Sequence, residues 1–120
     1  MAVDAEFIHE LFAEFGAVQI RRMFGGAGLY VDGVMFGLVT GGVIYLKADD
    51  ASIPAFETEN CAPFSFPTKT GRHTITSYWR MPERLYDDPD EVANWAKQAL
   101  QIARRKQSAS KSVRKKKTRR

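Results

Sequence analysis

The stretch that decides the fold is Met23–Lys47, MFGGAGLYVDGVMFGLVTGGVIYLK. Its apolar runs, Ala27–Val31, Val34–Thr40 and Val43–Ala48, are separated by Asp32-Gly33 and Gly41-Gly42. Both dipeptides favour two-residue hairpin turns, because such turns need positive φ, which these residues tolerate. Strands joined this tightly are antiparallel neighbours, so the stretch predicts a β-meander. On strict alternation Val34, Phe36 and Leu38 share one face of the middle strand, and Met35, Gly37 and Val39 the other. Both faces are apolar. That fits a central strand covered on both sides, or a surface for a homodimer.

Upstream, Phe7, Ile8, Leu11, Phe12 and Phe15 form one apolar stripe, predicting a helix over Asp4–Phe15. Asp4 is the expected N-cap, Val3 and Ile8 the staple, and Gly16 the stop. Ala17–Phe24 alternates as a first strand, with Arg21 and Arg22 on opposite faces, where an ion pair with an acid is favoured over an anion grip. Gly25-Gly26-Ala27-Gly28 is followed by a strand, not the helix a dinucleotide loop requires, and reads as a bend or bulge. Downstream, Ala51–Glu59 is a short helix with Pro54 in its first turn and Asn60 as its stop. Pro63–Pro67 is an edge strand or apolar plug. Arg72–Trp79 is a strand with His73, Ile75, Ser77 and Trp79 on one face, and Thr74, Thr76, Tyr78 and Arg80 on the other. Asp88-Pro89-Asp90-Glu91 has capping-box spacing before a helix carrying Val92, Trp95, Ala96, Ala99, Leu100 and Ala103 on one side. The fold class is α+β: an antiparallel sheet with a meander core, about 4–6 strands, packed by N-terminal and C-terminal helices.

At 120 residues the chain holds one folded unit, and its hydrophobic fraction of 44% supplies a core. No run approaches the roughly 18 apolar residues of a membrane span. The first residues, MAVDAEF, are acidic where an export signal would be basic. A lone cysteine, Cys61, permits no internal disulfide and fits a reducing compartment, so a cytoplasmic location is expected.

The net charge of +4 conceals two halves. Ten of the 18 bases lie between Arg104 and Arg120, with no acid among them; the eight that remain face 14 acids, a net charge of −6. Residues 1–106 are therefore expected to form the folded body, and 107–120 a basic, disordered tail. The tail gives candidate nucleic-acid contacts: Arg104, Arg105, Lys106, Lys111, Arg114, Lys115, Lys116, Lys117, Arg119 and Arg120. Their charge would neutralise phosphates and release counterions without reading sequence. No aromatic residue stands among them for single-strand stacking, and no apolar face accompanies them for a membrane surface. The acidic body is expected to repel DNA and confine contact to this arm.

Catalytic signals are sparse. His9 lacks ligand-spaced neighbours and reads as a boundary residue rather than a metal ligand. His73, Tyr78, Arg80 and Cys61 show no spacing of a nucleophile with its base. Tyr78, Trp79 and Arg80 are residue types that dominate interface hot spots, and form a candidate partner-binding patch; strand packing for Trp79 is the competing reading. No cofactor, metal site or catalytic residue is assigned.

Several blocks in order carry a resemblance: MFGGAGLYVDGVMFGLV, Tyr45-Leu46-Lys47, Pro63-Phe64, Ser77–Glu83 as SYWRMPE, and Trp95-Ala96. Over roughly residues 5 to 103 the sequence resembles the N-terminal domain of the TfoX/Sxy family. The resemblance implies a bacterial cytoplasmic regulator of competence genes and DNA transformation, without enzymatic activity. It also implies a protein partner, a transcription factor such as a cyclic-AMP receptor protein. Full-length members carry a further C-terminal helical domain, where this sequence has its basic segment. The expected function is a non-enzymatic regulatory or adaptor domain; the alternative is a small-molecule-binding or catalytic domain.

Overall fold

A computed structural model gives the structure of the protein; it describes residues 5–23 and 25–118, with side chains as far as residue 106. The order of elements is α1 (Ala5–Leu11), β1 (Gln19–Met23), β2 (Gly26–Val31), β3 (Val34–Thr40), β4 (Val43–Lys47), α2 (Ile53–Thr58), β5 (Pro63–Thr68) and β6 (Gly71–Arg80). A short 3-10 helix, Glu83–Asp87, and α3 (Pro89–Thr118) complete it. Both expected turns of the meander are present. Asp32 and Gly33 have φ of 52° and 77°, and Gly41 and Gly42 have 58° and 76°. Positive φ at both central residues matches the right-handed twist of the flanking strands.

The six strands form one sheet in the order β1-β2-β3-β4-β6-β5, with every neighbouring pair antiparallel. β6 pairs with the meander through Tyr78, Trp79 and Arg80, opposite Lys47, Leu46 and Tyr45, and the Ala48 amide donates to the Ser77 carbonyl at 2.9 Å. Gly71–Ile75 of β6 pair with β5, so this hairpin extends past the end of β4.

The strict alternation expected for β3 is broken. Leu29 pairs with Gly37, but the next residue, Tyr30, pairs with Met35, leaving Phe36 as the extra residue of a β-bulge. The extra residue resets the side-chain parity. Phe36 therefore turns inward, fully buried, and its ring lies 5.7 Å from Phe12 and 5.2 Å from Phe15. Leu38, expected to share its face, stays outside that core. A second register shift, between Pro63 and Phe64, interrupts the β5–β6 pair and breaks the expected alternation of β6 as well.

All three helices bury their apolar residues in one cluster with one face of the sheet. Ile8 and Phe12, Phe56, and Val92, Ala96, Ala99 and Leu100 meet Leu29, Ile44, Leu46 and Trp79 there. The core thus lies on one side of the middle strand. α1 is shorter than its apolar stripe: after Leu11 the chain tightens into turns, with the Phe15 and Gly16 amides both donating to the Phe12 carbonyl. The Asp4 cap, the Val3 staple and Phe24 lie outside the described residues. Asp88 caps α3 as expected, its Oδ1 accepting from the Glu91 amide at 3.3 Å, with Pro89 as the first helical residue. The α3 backbone remains helical to Thr118, beyond Gln107, where the apolar period stops and the tail is expected to begin. No helix among the described residues is long and apolar enough to cross a membrane.

Candidate functional site

Cross-strand partners point to the same side, so the register sorts the sheet into two faces. One row runs Ile20, Leu29, Gly37, Leu46 and Trp79, and lies under the helices. The adjacent row runs Arg21, Gly28, Leu38, Tyr45 and Arg80, one residue from each of five strands. Beside it on the same face lie Tyr30 paired with Met35, and Lys47 paired with Tyr78. None of this second set belongs to the hydrophobic cluster; Arg21 and Arg80 are exposed, and Gly28 and Tyr78 are buried.

The open face has an ordered surface. The Arg21 guanidinium lies over the Tyr30 ring at 4.9 Å, and the Lys47 ammonium over Tyr78 at 4.7 Å. Gly28 leaves the space these side chains use: a Cβ there would stand 2.8 Å from Tyr30 Cε1 and 2.9 Å from Met35 Sδ. Tyr45 meets Phe64 at 5.0 Å, and the ring contacts continue through Phe66 to His73 at 5.7 and 5.4 Å. Tyr30, Met35, Leu38, Tyr45 and Phe64 are half-buried, while Met23 is 43% exposed.

Charge is sorted as sharply as polarity. No Asp or Glu occurs in any of the six strands, whereas Arg21, Arg22, Lys47, Arg72 and Arg80 do. The acids sit on the helices and connecting turns. Averaging charge over the body into a net acidic globule therefore hides a cationic sheet. Burial, and secondarily Tyr30, push the Tyr78 hydroxyl up to about 12. Burial, and then Lys106, hold the Lys47 ammonium below its usual value.

The structure divides the candidate patch at 78–80. Trp79 faces the core, 6.1 Å from Phe56, and donates through Nε1 to the Thr76 carbonyl at 3.0 Å. Tyr78 lies on the opposite side under Lys47; Arg80 is exposed there and pairs with Glu83 at 3.1 Å. Among the C-terminal cations, Arg104 reaches Asp32 at 3.4 Å and Arg105 reaches Asp49 at 3.2 Å. Both pairs are solvent-exposed, and of the kind that contributes only about 0–1 kcal/mol. Lys106 lines a shallow recess with Asp49, Asp50, Thr76 and Ser77. Lys111, Arg114, Lys115, Lys116, Lys117, Arg119 and Arg120 lie outside the residues whose side chains are described. Arg21 stacks on Tyr30, and neither it nor Arg22 forms an ion pair among the described residues, contrary to the sequence expectation.

Among the described residues, no two of the groups considered for chemistry are hydrogen-bonded to each other. Cys61 Sγ is 3.8 Å from the Glu59 carbonyl; burial and then Glu59 push its thiol up, with Arg80 only partly opposing them. His73 meets Phe66 edge-on, and His9 Nε2 holds the Val18 carbonyl at 3.0 Å, fastening α1 to the segment before β1. No group of three potential metal ligands occurs among the described residues. A crevice of about 900 Å³ beside α1 is lined by apolar residues including Ile8, Ile20, Leu29 and Val39, with Arg22 as its charged member.

The model of the TfoX N-terminal domain matches residues 10–103. The chain belongs to the TfoX N-terminal domain family. Among curated relatives it is 28% identical over 114 residues to the DNA transformation protein TfoX1 of Aliivibrio fischeri, an alignment covering 92% of this chain and 54% of the relative. It is 27% identical over 99 residues to protein Sxy of Escherichia coli, covering 82% of this chain and 47% of the relative. The chain thus spans about half the length of the curated relatives it matches. The TfoX N-terminal match takes in the whole sheet and the packed part of α3, and stops one residue before the first C-terminal arginine.

Proposed function

We propose that this TfoX N-terminal domain is a competence-type regulatory module that works by contact with other macromolecules and not by catalysis. The observation that carries the reading is the separation of charge, with every described acid on helices and turns, and all cations but Lys69, Arg84 and Lys97 on the sheet or from Arg104 onward. A domain so divided can hold a protein on one side and a polyanion on the other. The protein partner proposed from the family resemblance is a transcription factor of the cyclic-AMP receptor type. The DNA contact is assigned to the cations from Arg104 onward, which need only phosphates and read no bases.

Deleting residues 104–120 tests the DNA arm. The full chain should bind duplex DNA with affinity that falls steeply with salt, and the deletion should flatten that slope by roughly 0.9 for each phosphate the arm had neutralised. Equal binding and equal slope after deletion would refute the assignment. The protein contact is tested separately, by titrating the purified receptor protein against the chain with and without promoter DNA.

A further inference from the structure

The geometry points to the open sheet face as a platform for single-stranded nucleic acid, with bases stacking on Tyr30, Tyr45 and Phe64 and phosphates held by Arg21, Lys47 and Arg80. This goes beyond the proposed regulatory role, which asks only for phosphate contact at the C-terminal end.

Two independent features of the face favour this occupant. The first is a set of rings held partly open to solvent: Tyr30, Tyr45 and Phe64 are half-buried and take no part in the core. Stacking on such rings tolerates any base, because every base has a π-face. The second is charge complementarity. Cations stand on β1, β4 and β6, and no strand carries an acid to repel a phosphate backbone. Arg21 and Arg80 end a row that crosses five strands, a reach of about 19 Å at ~4.8 Å per strand, comparable to a few nucleotides. The Arg80–Glu83 ion pair lies in solvent and is easily exchanged for a phosphate. Duplex DNA fits less well, since its paired bases cannot lie on the rings. A second copy of the chain fits poorly too: face to face, the two sets of Arg21, Lys47 and Arg80 would oppose one another.

The test uses the full chain, labelled oligo(dT), oligo(U) and a duplex of equal length, with binding followed by anisotropy across a salt series. Amide shifts in the ¹⁵N spectrum should move along β2, β4 and β5 on adding oligo(dT). Tyr45→Ala and Phe64→Ala should each weaken single-strand binding by about ten-fold while leaving duplex binding unchanged; Tyr45→Phe should retain it. Arg21→Glu, on an exposed edge strand where folding is not at stake, should weaken it several-fold and lower the salt slope by about 1. The proposal is overturned if the ring and Arg21 variants bind oligo(dT) like the parent, or if shifts appear only in the C-terminal segment. Displacement of oligo(dT) by an acidic peptide or by phosphatidylserine vesicles that bind the face more tightly would also overturn it.

Discussion

Replacing Phe36 and Leu38 in turn by alanine tests the bulge on which the two faces depend. If β3 alternated strictly, these residues would share an environment and cost similar amounts to truncate. In the bulged strand, Phe36 is fully buried against Phe12 and Phe15, whereas Leu38 is half-buried on the open face. Phe36→Ala leaves a cavity, and core Phe→Ala changes cost about 3–5 kcal/mol, the ring–ring attraction included. Leu38→Ala removes about three carbons from a half-exposed site, roughly 1 kcal/mol at ~0.8 kcal/mol per fully buried methylene. A domain of this size has a total stability of about 5–15 kcal/mol, so the first change takes a large share and the second a small one. In melting temperature the contrast is about 12–20 °C against about 4 °C. Urea unfolding followed by far-ultraviolet circular dichroism measures both. A Leu38→Ala cost equal to that of Phe36→Ala, or a Phe36→Ala cost below about 1.5 kcal/mol, would refute the inward turn of Phe36.

Gly26→Ala would drive a Cβ into the Val39 carbonyl oxygen across the β2–β3 pair. It should destabilise by about 1–3 kcal/mol, and more than Gly28→Ala, which meets only the movable side chains of Tyr30, Met35 and Met23; the two urea midpoints decide. Burial raises the Asp49 carboxyl, but the Ser52 amide and hydroxyl, Arg105 and the Ala51 amide outweigh it and hold the group below its ordinary value of 3.8. A depressed folded value stabilises the native state above pH 3.8 and loses that contribution as pH falls through the folded value. Asp49→Asn should therefore lower stability at pH 7 and flatten the acid limb of the stability curve; an unchanged limb would count against the Ser52 amide and Arg105 contacts. Of the four tyrosines, Tyr78 should ionise at about 12, and Tyr78→Phe should remove that late step from the phenolate absorbance titration.

Much of the architecture was legible because it rests on local chemistry. The Asp32-Gly33 and Gly41-Gly42 turns follow from a backbone requirement carried by those residues alone, and the Asp88-Pro89 cap from the unpaired amides of a helix start. Asn60 ends its segment at φ 61°, as its side chain permits. The candidate face was less legible. Its members, Arg21 through Arg80, lie far apart in the chain and meet only through register. One clue was present, the absence of acids from every strand-forming run, and it disappears when charge is summed over the whole body. Tyr78, Trp79 and Arg80 were adjacent in sequence yet parted in space, because neighbours along a strand point to opposite sides.

By itself, then, the sequence determined the meander, its turns, the Asp88 cap of α3 and the position of the C-terminal charge. Each of these needs only a few consecutive residues. Tertiary structure alone decided that β6 docks on β4, that Phe36 bulges inward, and that the helices gather on one face. Those outcomes depend on pairing between distant segments and on filling one core, and no local window contains that information. The cationic, ring-bearing side of the sheet is what that choice left outside the core.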